Sequence, residues 1–110
     1  MPECGGPLER LAVVQLPGPA PADLGDASVN FAPGPNAADA DGACAGSATA
    51  PSAPAGMVCL YLTGAAGADT AVDGRAIPGL AGSRLGFVVH AVSATASVTG
   101  LFGTWAYTAP

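Results

Sequence analysis

Residues 57 to 62, Met57-Val58-Cys59-Leu60-Tyr61-Leu62 (MVCLYL), form an unbroken apolar run between Gly56 and Gly64. The run is too short for a stable helix and is closed at both ends by glycine, so it reads as a strand. No polar residue alternates within it. The expected strand is therefore buried on both faces, or has one face against a partner chain.

The remaining strands are read outward from this one. Arg84 to Val92, RLGFVVHAV, is the longest candidate, and Gly86 within it marks a bulge or a close backbone approach. Gly103 to Thr108, GTWAYT, places Trp105 and Tyr107 two residues apart, on one face of a strand. Leu8 to Leu16, LERLAVVQL, is stopped by Pro17-Gly18-Pro19-Ala20-Pro21, and Val13 and Val14 favour a strand over a short helix. Ala27 to Phe31, Thr70 to Val72 and Ala96 to Thr99 read as short strands, and Val72-Asp73-Gly74 reads as a turn. Residues 33 to 56 form a long low-complexity loop, in which Ala37 to Ala40 has room for one helical turn. Short strands between Gly/Pro loops predict a small all-β domain, a β-sandwich or jelly roll with long Ala/Gly/Pro-rich loops. It spans residues 8–110, behind a tail at residues 1–7, and no internal repeat is visible.

The apolar content of 50% overstates the core. Twenty-five of the 110 residues are alanine, while Leu, Ile, Val and Phe number only 22. Glycine and proline, 16 and 11, make up a quarter of the chain. A core this thin needs a staple or an oligomer.

Cys44 and Cys59 bracket 14 residues rich in Ala, Ser and Pro. A disulfide there would close a flexible loop; the alternatives are two free thiols or a metal pair. The spacing is not C-x-x-C and His90 is the only histidine, which leaves zinc short of ligands. The disulfide is the expected state, and it implies an oxidising compartment. Cys4 is left over in the tail, as a free thiol or an interchain link.

The net charge of −5, without a single lysine, argues against nucleic acid, since Arg10, Arg75 and Arg84 are scattered. No apolar run approaches the ~20 residues of a membrane span, so no membrane insertion is expected. The opening MPECGGPLER carries no visible export signal.

Phosphate-loop patterns are missing. Asp39-Ala40-Asp41-Gly42 resembles the middle of a calcium loop, but in that register the first and twelfth ligands would be Ala37 and Ala48. The stretch therefore reads as a solvated acidic loop, and no metal is expected. His90 lies among valines and alanines, with Val88 and Val92 on its face. It reads as a histidine bonded at a sheet edge or subunit contact rather than the centre of a small hydrolase, and no catalytic residue is expected. Asp69 and Asp73 are placed in a loop, and Glu3 and Glu9 near the chain start; none of the four suggests a buried acid. No cofactor is expected. Trp105 and Tyr107, with Tyr61, could form a stacking platform for a glycan or another small ligand. A chain so poor in large side chains is expected instead to spend Trp105 on its core or on a subunit interface.

The succession Cys44, APAGMVCLY (53–61), RLGFVVHAVSA (84–94) and GTWAYTAP (103–110) resembles C-terminal modules of secreted or surface proteins of high-GC Gram-positive bacteria. Some of those modules follow collagen-like or other fibrous stretches. The resemblance covers about half the chain. It implies an exported, non-enzymatic β module for assembly or display, located outside the cell or on its surface. It also implies a disulfide across the Pro/Ala loop and self-association as a homotrimer, and it brings no catalytic residues; a glycan or surface partner is a separate expectation.

Overall fold

The computed structural model describes residues 8–34, 37–65, 70–77, 84–93 and 101–110. The expected tail with Cys4, Asp69 and the strand at Ala96 to Thr99 lie outside them. The described residues form six strands: β1 (Leu8–Gln15), β2 (Val29–Phe31), β3 (Met57–Ala65), β4 (Thr70–Arg75), β5 (Gly86–Ser93) and β6 (Leu101–Thr108). A single 3-10 turn, Asp26–Ser28, precedes β2. The domain is all-β, as expected.

The strands form two three-stranded sheets, ordered β1-β5-β4 and β2-β3-β6. The first is antiparallel throughout. In the second, β2 runs parallel to β3 and β6 antiparallel to it. Both sheets feed one core, built from Val29, Phe31, Val58 and Leu60 on one side and Val72, Phe87 and Ala91 on the other. Leu16, Ala20 and Leu24, from the connection after β1, complete it.

The run at 57–62 is buried on both faces by its own chain. Val58 and Leu60 enter the shared core, while Cys59 and Tyr61 point the other way into a second cluster with Cys44. That cluster is roofed by the Ala-rich loop, whose Ala48 and Ala53 pack against it. Small side chains let the loop backbone approach closely. The loop is held at points along its length: the Tyr61 hydroxyl donates to the Ser52 carbonyl and accepts the Gly46 N–H, and Thr104 Oγ1 donates to the Ala48 carbonyl.

Four local expectations are corrected. Asp26–Ser28 takes a 3-10 turn, so the strand expected at 27–31 shrinks to Val29–Phe31. Val72-Asp73-Gly74 is not a turn but the middle of β4, because each of its residues pairs with β5. The 37–40 stretch makes no helical turn: Ala37 bridges Val72 and Ala40 bridges Phe31. That segment also spans the edges of the two sheets, β4 on one side and β2 on the other. His90 sits on the central strand of its sheet, not at an edge. At Gly86, the close-approach reading applies: an added Cβ would sit 2.1 Å from the Val14 carbonyl oxygen on β1.

Candidate functional site

The densest polar cluster grows out of the β4–β5 pairing. Asp73 and His90 are direct cross-strand partners, so their side chains share the face turned away from the core. His90 is only 4% exposed. Its Nδ1 lies 2.6 Å from Asp73 Oδ1, while Asp73 Oδ2 accepts from Arg75 Nε at 2.7 Å. An ionised carboxylate only accepts, so the shared proton belongs on Nδ1. Burial pushes the Asp73 carboxyl up, but the hydrogen bonds and charges of Arg75 and then His90 outweigh it. The carboxyl is held below its ordinary range.

Asp39 stands beside this pair. The acidic loop read as solvated places Asp39 half-buried, with Oδ2 accepting the Gly74 N–H at 2.8 Å and Oδ1 the Phe31 N–H at 3.3 Å. One carboxylate thus clasps β4 of one sheet and β2 of the other. Burial raises its pKa, the two N–H groups offset this only partly, and Asp73 adds to the rise. Asp41 caps its own turn through the Ala43 N–H. Among the described residues, no group of three or more His, Cys, Asp or Glu side chains is placed to hold a metal ion.

An Asp–His pair is two thirds of a hydrolytic triad, which also needs a hydroxyl or thiol at Nε2. The described residues nearest His90 on its face are Val88 and Val92 along β5 and Leu11 and Asp73 across from it. None of them carries a hydroxyl or a thiol. The pair joins β4 to β5.

The three candidate platform aromatics do not come together. Trp105 pairs with Leu60 and Tyr107 with Val58, so both point toward the shared core. Trp105 meets Phe87 edge-on, with ring centroids 5.3 Å apart and planes at 77°. Tyr61 lies on the opposite face of β3, buried beside the disulfide. That disulfide, Cys44–Cys59, is formed across a Cα separation of 5.5 Å.

Among the described residues, the large exposed apolar side chains are elsewhere. Leu11 and Val13 on β1 are 53% and 64% exposed, and Leu85 is 55% exposed. β1 is an edge strand, and no described strand pairs its outer side. Sequence reading treated LERLAVVQL as an ordinary strand. The missed signal was its alternation, with Leu11 and Val13 on the face opposite core-facing Val14. No protein family, curated protein or solved structure matches the chain. Among the described residues, no helix is long and apolar enough to cross a membrane.

Proposed function

We propose that the chain is an exported, non-enzymatic module of a surface or fibre protein that works by self-association. The observation that carries this reading is the bare apolar edge strand β1, with Leu11 and Val13 mostly in solvent. Long, uncovered edges with apolar side chains template pairing, and folds that stay monomeric blunt them with lysine, proline or bulges. β1 carries charges at Glu9 and Arg10, but residues 11–14 have no charge, proline or bulge. The Cys44–Cys59 disulfide supports an oxidising, extracellular setting. The resemblance to C-terminal modules of bacterial surface proteins points the same way.

Light scattering on the purified chain across a concentration series tests the reading. An oligomer is expected, whether trimer or dimer. A monomer up to the highest soluble concentration would overturn it.

A further inference from the structure

We infer that the partner of β1 is the β1 strand of a second copy, paired antiparallel about a two-fold axis at Ala12. The inference rests on the self-association reading above and narrows it to one partner, one strand and one register.

In an antiparallel pair, residues that exchange bonds with the neighbouring strand alternate with residues whose N–H and C=O point away from it. Leu16 donates to the Leu85 carbonyl at 2.9 Å, extending the β1–β5 register by one pair. Leu16 is therefore of the first kind, and so are Leu8, Arg10, Ala12 and Val14. The backbone groups of Glu9, Leu11, Val13 and Gln15 then point outward from the sheet.

An axis at Ala12 pairs Leu11 with Val13 and Glu9 with Gln15 of the other copy. Every pair joins two outward-pointing residues, so about eight interchain hydrogen bonds can form with none of these groups left over. Moving the axis by one residue, to Leu11 or Val13, keeps that parity but breaks the symmetry of the side chains. About Ala12 three of the four flanking pairs match in polarity, Leu8 with Leu16, Glu9 with Gln15 and Leu11 with Val13, and Arg10 with Val14 is the one that does not. No charge is set against a like charge in this register, which matters for a chain of net charge −5. The exposed Leu11 and Val13 of both copies meet as cross-strand pairs on one face. Two three-stranded sheets become one six-stranded sheet, and its bare β1 edges disappear. A two-fold pair closes on itself, unlike a head-to-tail contact, and takes the place of the trimer that the resemblance implies.

Two variants of the full chain test the pairing. Val13→Pro removes one outward N–H without touching the bonds to β5, a position where an edge strand tolerates proline. Its molar mass by light scattering should fall to half that of the unchanged chain, with the β signature in circular dichroism retained. Ala12→Cys, in a Cys4→Ser background, should oxidise to a covalent dimer. Residues facing each other at a non-hydrogen-bonded antiparallel position lie close enough for a disulfide. A trimer, or a dimer that ignores Val13→Pro and does not cross-link at residue 12, would overturn the edge pairing and leave self-association standing. A monomer would overturn both.

Discussion

The carboxylate of Asp39 accepts the backbone N–H of Gly74 at 2.8 Å, across 35 residues of sequence. With the Phe31 N–H on its other oxygen, it ties the edge of one sheet to the edge of the other. Asp39→Ala strands both donors. The expected loss is about 1–3 kcal/mol of unfolding free energy, the usual cost of buried groups left unbonded. Urea denaturation measures it, and a change within the noise of the fit would show that the clasp does not hold the sheets.

The Asp73–His90–Arg75 group predicts a pH dependence of definite sign. The folded Asp73 carboxyl lies below its ordinary value, so its stabilisation is complete above about pH 3.9 and is lost as pH falls through the lowered value. Asp39 acts oppositely. Its folded value is raised, so the fold gains stability from it as pH falls through that raised value toward the ordinary one. Asp73→Asn should therefore flatten the acid limb of a stability–pH curve, and Asp39→Asn should steepen it. Equal acid limbs in all three proteins would contradict the assignment.

Reduction should cost stability without changing the strand content. The Cys44–Cys59 bond closes a loop with a sequence separation of 15, for which chain entropy predicts about 3 kcal/mol. The comparison is thermal unfolding of the oxidised chain against a Cys44→Ala/Cys59→Ala variant. A melting temperature unmoved by the double substitution would mean that the Tyr61 and Thr104 hydrogen bonds hold the loop unaided.

Gly74 is the point where β4 meets β2. An added Cβ there would lie 2.5 Å from Val29 Cγ1 and 2.6 Å from the Val29 carbonyl oxygen. Gly74→Ala should destabilise by about 1–3 kcal/mol, as overpacking does. Gly18→Ala, where nothing lies within 4 Å, is the control and should change little. Equal stability of the two variants would mean that the two sheets are not in tight contact at Gly74.

Removing residues 103–110 takes away most of β6, the strand that pairs β3 on the side away from β2, and with it the Trp105–Phe87 contact. The truncated chain should show no cooperative unfolding transition. A folded truncation would show that β6 is dispensable.

Local sequence accounts for where most strands lie. MVCLYL, FVVHAV and GTWAYT are strands because apolar and β-branched runs of that length, cut by glycine and proline, have no better local state. It also determined that Trp105 and Tyr107 share a face, which follows from the period of the strand, and that the Cys44–Cys59 loop has a length a disulfide can close. Only the tertiary structure decided the rest. Asp73-Gly74 looks like a turn in isolation, yet pairing with β5 overrides it, because a local turn preference is weak against a full set of cross-strand hydrogen bonds. Asp39 reads as solvated, because its donors at Phe31 and Gly74 are backbone groups that no motif records. His90 reads as a histidine bonded at a sheet edge or subunit contact, because its carboxylate comes from another strand, 17 residues away. The exposure of Leu11 and Val13 is likewise set by tertiary placement: they lie on an edge strand, on the face turned away from the shared core.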